Sequence, residues 1–326
     1  MVRRRLSAAR SLLCVDNPWD RSPHRVAYPG KAGDWSEGNA AITQRMAGTG
    51  GTITHVSDTA RWTALHRATE TARPDALFSD PLAGRLAGEH GRAIVARAPR
   101  TTRNGWWLVA RTKLIDDAIA DAIANGCDRV LNLAAGLDTR PYRLELAADF
   151  TWVEADLPTL LAEKTRLLAD QVPRCRLTRH AVDLADPQAR DAFLDDALEG
   201  ATRALVLTEG LLMYLDDRDV VALSNAITRP EVGWWMLDFA GPGLKKKMNK
   251  KMAGLMQNAP FTFAPDNGLA FFEDLGWRTA RWEALYLAAR RLHRLPLLMR
   301  PATWLPVPDP RRPGGRAWSA AALLTH

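Results

Sequence analysis

The hydrophobic pattern predicts a buried β-strand over residues 130–133, followed by a tight turn. These residues are mostly apolar, and the short run suits a parallel strand that is covered on both faces. Ala134, Ala135 and Gly136 follow, and their small side chains leave space for a ligand to approach the backbone. Taken alone, such a turn is about equally typical of a close contact between a helix and a strand.

Short apolar segments elsewhere predict further strands that alternate with helical patterns. The strands are predicted at residues 152–154, 177–182, 204–208, 234–239 and 317–324. Apolar residues spaced for one buried face, or helix-starting prolines, predict helices over 59–71, 101–125, 141–146 and 158–170. This alternation indicates an α/β fold built on a parallel sheet.

Polar residues mark the ends and the outer faces of the predicted helices. Ser57-Asp58 can cap the first helix, because their side-chain oxygens can accept from free backbone amides. Asp116 and Asp117 belong to the polar face of the second helix and are expected to be solvated. His66 is expected to be structural, since no neighbouring residue would orient it as a base.

An acidic residue follows the turn at the spacing expected of a nucleotide-binding site. Asp156 lies 20 residues after Gly136, and in open α/β sheets ligands bind beyond the carboxyl ends of the strands. Glu154 and Asp156 alternate along an extended strand and point the same way, so one of the two carboxylates can accept from ribose hydroxyls. The spacing therefore predicts a nucleotide-like cofactor.

Several stretches around this turn resemble one known family. The resemblance rests on residues 136–144 (GLDTRPYRL), 153–158 (VEADLP), 183–184 (DL) and 208–215 (TEGLLMYL). They are similar to motifs of the leucine carboxyl methyltransferases, a family of S-adenosylmethionine-dependent enzymes that includes many bacterial O-methyltransferases. The resemblance extends from about residue 56 to the C terminus, with one departure at Ala134, where the family usually has glycine.

The resemblance implies the fold and the cofactor. The expected fold is a doubly wound, mostly parallel seven-stranded sheet of the class I methyltransferase type with an N-terminal helical lid, and residues 272–282 resemble the family's helix and sixth strand. The expected cofactor is S-adenosyl-L-methionine, bound by the turn at Ala134 and Gly136 and by residues from several other elements: Arg111, Asp156, Asp183, Leu184 and Glu209.

The resemblance implies a role in cofactor binding for each of these residues, and for some of them an ordinary structural role is the alternative. An arginine at the place of Arg111 reaches the cofactor carboxylate in the family, although a solvated helix charge would look the same in sequence. Asp156 is implied to bind the ribose, and Asp183 with the Leu184 amide the adenine. Asp183 could also cap the helix that begins near residue 187. No catalytic residue is assigned, and Glu209 and Tyr214 are only weak candidates to assist the reaction.

Positive charge is concentrated in the N-terminal part of the chain. Residues 1–45 carry eight Lys or Arg against four Asp or Glu, a net charge of +4, which leaves +3 for the remainder. We predict a disordered basic extension over 1–50 and a methyltransferase domain over 51–326. Within that domain, 51–125 is predicted to be the helical lid and 126–326 the catalytic α/β core with insertions. Met46 is a candidate biological start.

Composition argues against several other classes. Three cysteines without Cys-x-x-Cys spacing or a neighbouring His pair disfavour both a disulfide scaffold and a metal site. No run approaches the length of a membrane span, so a cytoplasmic location is expected. The arginine-rich segment 285–305 is predicted to be a packed insertion, with association to a membrane surface as the minor alternative. The oligomeric state is not determined by the sequence.

The preferred function is O-methylation of a small, largely apolar metabolite that bears a carboxyl or hydroxyl group. A nicotinamide-dependent oxidoreductase is an alternative, because a small-residue turn and an acid 20 residues later suit either cofactor; the absence of Gly-x-Gly-x-x-Gly counts against it. A nucleic-acid or polyanion-binding module is a second alternative, based on the basic extension and the lysines of residues 245–251. Interspersed acidic residues disfavour it.

Overall fold

The computed structural model describes residues 56–99, 102–253 and 259–326, so the extension predicted at 1–50 lies outside the described residues. The helices are α1 Val56–Thr71, α2 Ala83–Arg97, α3 Trp106–Ala124, α4 Arg140–Arg143, α5 Pro158–Leu167, α6 Pro187–Leu198, α7 Asp217–Ile227, α8 Pro242–Met252, α9 Ala270–Asp274 and α10 Leu285–Arg291. The strands are β1 Arg129–Leu133, β2 Thr151–Asp156, β3 Arg176–Ala181, β4 Ala204–Thr208, β5 Val232–Ala240, β6 Arg278–Ala284 and β7 Ser319–Thr325. Two 3-10 segments cover Leu212–Tyr214 and Leu297–Trp304.

The seven strands form one sheet in the order β3-β2-β1-β4-β5-β7-β6. Strands β1 to β5 pair in parallel, whereas β7 pairs antiparallel with both β5 and β6. The direction of winding reverses at β1, which lies between β2 and β4, so a crevice opens at its carboxyl end. The predicted doubly wound, mostly parallel seven-stranded sheet is confirmed.

Apolar side chains cover both faces of the sheet. On one face, helices α6, α7 and α9 contribute Phe193, Leu223 and Phe272 to the larger apolar cluster. On the other face, Ile115 and Ile119 of α3 pack into a second cluster. Strand β4 is therefore buried at every position, which explains its continuous apolar sequence. Among the described residues, no helix has both the length and the apolar character needed to cross a membrane.

Prolines and glycines determine several helix ends. Pro158, Pro187 and Pro242 each occupy the first turn of a helix, where the missing amide hydrogen is not needed. The helix predicted over 101–125 begins only at Trp106, because Gly105 has a left-handed φ of 55° and interrupts the helical backbone. Its end at Ala124 agrees with the prediction to within a residue.

Three other predicted helix boundaries are wrong. Helix α1 already begins at Val56, before the predicted start at residue 59, so Ser57 and Asp58 lie within its first turn. Asp58 Oδ1 lies 2.9 Å from Nε2 of His90 in α2, a tertiary contact that local sequence does not reveal. Helix α4 is a single turn and does not extend over 141–146, and α5 ends at Leu167, before residue 170.

Helix α2 was missed because three glycines interrupt its pattern. Gly84, Gly88 and Gly91 all lie within it, and glycine is unfavourable inside helices. Gly88 has a φ of 57°, which places a kink in the middle of the helix. Helix α2 is nevertheless stabilised by tertiary packing, since its Leu86 and Ile94 are fully buried.

The predicted packed insertion over 285–305 is only half correct. Helix α10 buries Ala288 and Ala289 against Ala110 of α3, and Leu295 joins the same cluster. Beyond Leu295 the chain leaves the core, and the 3-10 segment Leu297–Trp304 has no buried residue. Its apolar side chains are exposed. Prolines in this stretch prevent a regular α-helix, so no helix face packs inward.

Candidate functional site

A cavity of about 1620 Å³ lies at the carboxyl ends of the central strands. Its walls come from α1, α3, α8, the turns that follow β1 to β5, and the loop before β7. All eight residues that the sequence selects for the site line this cavity: Arg111, Ala134, Gly136, Asp156, Asp183, Leu184, Glu209 and Tyr214.

The turn after β1 brings backbone into the cavity. Ala134 and Gly136 both have left-handed φ angles, of 55° and 52°. This conformation costs a residue other than glycine about 1 kcal/mol, so Ala134 carries a strain that glycine would not. A Cβ on Gly136 would lie 3.4 Å from Cβ of Ala60, which shows how closely α1 approaches the turn.

Asp156, at the end of β2, is fixed by the same turn. Its Oδ2 accepts from the Gly136 amide at 2.6 Å, and its Oδ1 accepts from the following backbone amide at 2.7 Å. Burial raises the pKa of Asp156, although these two hydrogen bonds oppose the shift. Glu154 is fully buried and bonds instead to Lys164 Nζ at 2.8 Å and Arg179 Nε at 2.9 Å. Asp156 is therefore the β2 carboxylate that faces the cavity.

Asp183 and Leu184 line the cavity just beyond β3. The Asp183 carboxylate accepts from the Ala185 amide at 3.0 Å, in a turn that begins the loop. The alternative that Asp183 caps helix α6 is wrong, because Asp186 is the cap and accepts from the amides of Gln188 and Ala189.

Arg111 crosses from α3 to the ends of β4 and β5. Its Nε donates to Glu209 Oε1 at 3.0 Å, and its Nη1 donates to Asp238 Oδ2 at 2.9 Å. Asp238 Oδ1 accepts from the Gly210 amide at 2.6 Å. Gly210 has a φ of 68°, and a Cβ there would lie 3.4 Å from Arg111 Nη1. Within the described residues, Nη2 of Arg111 has no hydrogen-bond partner and so keeps donors for a ligand.

A second buried arginine holds the other side of Glu209. Arg140 Nη1 donates to Glu209 Oε2 at 2.7 Å and to Asp138 Oδ2 at 2.6 Å. Burial alone would raise the pKa of Glu209, but the charges of Arg140 and Arg111 outweigh it and lower that pKa. Glu209 is therefore a carboxylate anion at neutral pH.

Asp116 belongs to this network, and the prediction that it is solvated is wrong. It accepts from Arg140 Nε at 2.7 Å and from both Nη atoms of Arg143 at 2.8 Å. Its neighbour Asp117 is partly exposed and pairs with Lys113. Helical periodicity placed both aspartates on the polar side of α3, because it contains no information about arginines that arrive from the turn after β1.

Sequence reasoning missed Asp238 and Arg140. Asp238 does carry a sequence signal, since it is the single charged residue in the apolar strand β5, and a buried charge requires a partner. Arg140 carries none, because a charged residue just after a turn is usually solvated. Only the fold shows that it is 2 % exposed and surrounded by three carboxylates.

Aromatic side chains form part of the remaining cavity wall. Four aromatic residues, Trp62, Trp106, Trp107 and Phe261, line the cavity, whereas Phe78 and Phe263 do not. Tyr214 packs edge-on against Phe261 with ring centroids 5.7 Å apart, and burial raises the pKa of Tyr214 to about 12. Basic side chains also line the cavity, among them Lys247 of α8 and Arg316.

Comparisons with known proteins agree with this geometry. The family described as leucine carboxyl methyltransferase matches residues 60–228. A relative from Parafrankia sp., whose name proposes an S-adenosyl-L-methionine-dependent methyltransferase, is 31% identical over 262 residues, which cover 75% of this chain and 84% of that protein. A similarly named protein from Mycobacteroides abscessus is 36% identical over 180 residues, or 49% of this chain and 57% of that protein.

A solved structure shares the fold. A DUF574 family protein from Streptomyces avermitilis superposes with a TM-score of 0.51 over 82% of this chain and 96% of that chain. The two sequences are 14% identical, so the likeness concerns the fold alone.

Proposed function

Because the chain belongs to the leucine carboxyl methyltransferase family, we propose that it methylates an oxygen atom of a small, largely apolar metabolite, and that this oxygen belongs to a carboxylate. The coarser activity follows from family membership itself: the protein is an S-adenosylmethionine-dependent methyltransferase. The nicotinamide-dependent alternative is thereby set aside. The cofactor supplies an activated methyl group on a sulfonium, so the chain's own residues need only bind, orient and exclude water.

The donor and acceptor groups of the cavity suit this cofactor. The small-residue turn at Ala134 and Gly136 leaves room for a ligand against the backbone. We assign the ribose hydroxyls to Asp156, and the adenine to the Asp183 carboxylate and the Leu184 amide. All three residues line the cavity at the ends of adjacent strands.

We assign the cofactor carboxylate to Arg111. Its guanidinium is positioned by Glu209 and Asp238 through Nε and Nη1, which leaves Nη2 for a ligand. A planar cation held in this way meets a carboxylate without first losing side-chain freedom. Glu209 and Asp238 are thus positioning residues for Arg111.

The observation that carries the choice of a carboxylate acceptor is that neither Glu209 nor Tyr214, the two residues that could assist the reaction as a base, suits that role. Among the described residues, no histidine lines the cavity. Glu209 is an ion-paired anion with a lowered pKa, which makes it a weak base, and Tyr214, with a pKa of about 12, is neutral. An aliphatic hydroxyl benefits from a base near the methyl group, whereas an ionised carboxylate is already nucleophilic.

The acceptor side of the cavity supports the same choice. Aromatic side chains such as Trp107 and Phe261 offer an apolar surface, and Lys247 and Arg316 add positive charge to the wall. An apolar acid presents a matching combination of apolar body and anionic head. We therefore expect the product to be a methyl ester.

The test uses purified protein, S-adenosylmethionine labelled in the methyl group, and a panel of apolar carboxylic acids with the corresponding alcohols. Mild alkali should release labelled methanol from the product, because an ester is hydrolysed and an ether is not. An alkali-stable ether would overturn the carboxylate assignment and favour the hydroxyl alternative. Transfer to nitrogen of a nucleobase or of a protein lysine would overturn O-methylation altogether.

A further inference from the structure

Large apolar side chains are exposed together at one place on the protein. The described residues contain seven large hydrophobic side chains with substantial exposure, and six belong to one stretch: Leu297, Leu298, Met299, Trp304, Leu305 and Val307. Leu298 is 97% exposed and Trp304 is 76% exposed. We call residues 297–307 the apolar surface segment. Clustered apolar exposure of this kind marks an interaction site, whereas single exposed residues do not.

The apolar surface segment is held in its outward position by the fold. At one end, Leu295 is buried in the cluster that joins α10 to α3. Arg290 Nη1 donates to the Arg300 carbonyl at 3.2 Å and also contacts Thr303 Oγ1. At the other end, Arg316 Nη1 donates to the Pro306 carbonyl at 2.7 Å. The exposure is therefore built into the fold by arginines that anchor the segment's backbone.

The surroundings of this segment are strongly basic. Residues 290–316 contain seven arginines and one aspartate, a net charge of +6. This exceeds the +3 that the whole of residues 46–326 carries. Three of these arginines form ion pairs with acidic residues, namely Arg291, Arg294 and Arg311. Within the described residues the other four have no acidic partner, so their charge is available to an anionic surface.

The apolar surface segment is also continuous with the cavity. Met299 and Leu305 belong to the segment and line the cavity as well, and Pro308 and Arg316 line it just beyond the segment. An apolar molecule that leaves the segment can therefore reach the cavity along a surface of similar chemistry.

We propose that the apolar surface segment docks on the surface of an anionic lipid bilayer and that the acceptor enters the cavity from that bilayer. Leu298 and Trp304 insert among the lipids, while Arg300 and Arg312 contact anionic headgroups. This combination of protruding apolar side chains and flanking arginines is the chemistry of an interfacial anchor. The entry route rests on the proposed function, since it supplies an apolar acid to that cavity, whereas the docking itself does not.

A second copy of the chain fits this surface less well. A symmetric dimer built on the segment would place the four arginines without acidic partners of one copy against those of the other, and like charges across an interface are repulsive. An anionic bilayer instead complements both the charge and the apolar side chains.

The experiment is co-sedimentation of the full chain with vesicles, without cofactor or acceptor. Vesicles of phosphatidylglycerol and phosphatidylcholine should bind the protein, and phosphatidylcholine alone should bind it weakly. The double variant Leu298→Ser/Trp304→Ser should bind at least about tenfold more weakly, because two apolar side chains no longer insert. The matched control is Val172→Ser, an equally exposed apolar residue outside the segment (86%), which should bind like the parent.

A second pair of substitutions tests the charge. Arg300→Gln and Arg312→Gln should each weaken binding to the anionic vesicles roughly fivefold, since a basic residue near an anionic membrane contributes about 1 kcal/mol. Calorimetric titration with S-adenosylmethionine should show that all variants remain folded and bind the cofactor like the parent.

Three results would overturn the docking proposal. The first is no binding to anionic vesicles, and the second is equal binding by the parent and Leu298→Ser/Trp304→Ser, which would assign binding to another basic region. The third is a protein complex that depends on Leu298 and Trp304 without any vesicle binding, whether with a second copy or with an acidic protein. Failure of methyl-ester formation leaves the vesicle result unaffected, so the two proposals fail separately.

Discussion

Asp183 and Asp186 share one loop but have different environments. Asp183 lines the cavity, whereas Asp186 caps helix α6. We expect Asp183→Ala to weaken S-adenosylmethionine binding by about 1.5 to 3 kcal/mol, the contribution of hydrogen bonds to a charged group, with little change in stability. The matched variant Asp186→Ala should lower the free energy of unfolding by about 1 kcal/mol and leave cofactor affinity unchanged.

Calorimetric titration and urea unfolding of both variants separate these outcomes. Parent-like cofactor binding by folded Asp183→Ala would show that the adenine end of the site is misassigned.

His66 is the titratable group whose burial has the clearest consequence for pH dependence. It is 3% exposed, and its Nε2 is buried without a hydrogen-bond partner. Burial lowers the pKa of His66 from 6.5 to about 4. His66 therefore binds a proton near pH 6.5 in the unfolded chain, whereas in the folded chain it stays neutral until the pH approaches 4. The contribution of neutral, buried His66 to the free energy of unfolding is fully present above pH 6.5 and is lost as the pH falls towards 4.

Between pH 7 and pH 5, this single group should lower the free energy of unfolding by about 2 kcal/mol, at 1.36 kcal/mol per pH unit below 6.5. We expect His66→Gln to lose that part of the pH dependence. His293→Gln, which replaces an exposed histidine, should retain it. Urea unfolding at the two pH values measures the difference, and identical slopes for parent and His66→Gln would contradict the argument.

At the scale of elements, the buried ion pairs attach helix α3 to the sheet. Arg111 of α3 bonds to the ends of β4 and β5, and Asp116 of α3 bonds to Arg140 and Arg143 of the short helix α4. The interface between α3 and the catalytic strands is therefore charged as well as apolar. The same contacts position Arg111 in the cavity.

Removal of Asp116 should loosen this attachment. Asp116→Asn removes the close counter-charge of Arg143 and one of the three carboxylates around Arg140, and breaking a buried pair in this way costs about 3 to 5 kcal/mol. Asp117→Asn, one residue later, removes only a partly exposed pair with Lys113 and should cost less than about 0.5 kcal/mol. Thermal or urea unfolding compares the two variants, and equal stabilities would show that the network is not structural.

At the scale of the whole molecule, the positive charge is concentrated in two places. Residues 1–45 carry +4 and residues 290–316 carry +6, so the remaining residues are net negative. The cofactor residues assigned above all lie at or after Arg111, which is distant in sequence from the basic extension. Net charge alone therefore does not indicate a nucleic-acid-binding protein.

A chain that begins at Met46 should bind S-adenosylmethionine like the full chain, because every assigned cofactor residue is retained. The full chain should show no nucleic-acid affinity that falls steeply with salt, which is the mark of phosphate contacts. Titration of both chains with the cofactor, and of both chains with duplex DNA at two salt concentrations, checks this. Steep salt dependence that disappears in the shorter chain would revive the polyanion-binding alternative.

The sequence by itself predicted most strands of the sheet and the small-residue turn that lines the cavity. Apolar runs such as residues 204–208 mark strands buried on both faces, and the turn at Ala134 and Gly136 marks the crevice beside them. These signals are local, because the side-chain period and the backbone demands of a turn act over a few residues. The family resemblance then added Arg111 and Asp183 to the predicted site. The local sequence alone favours a solvated helix charge for Arg111 and a helix cap for Asp183.

Only the tertiary structure decided which charges are buried together and which apolar residues remain outside. Asp116 and Asp117 are indistinguishable in sequence, yet one joins two buried arginines and the other forms a partly exposed pair with Lys113. Asp238, Arg140 and the apolar surface segment likewise acquire their roles from partners far away in the chain. Burial and ion pairing depend on which helices and strands pack against each other. Local sequence patterns do not specify these tertiary contacts.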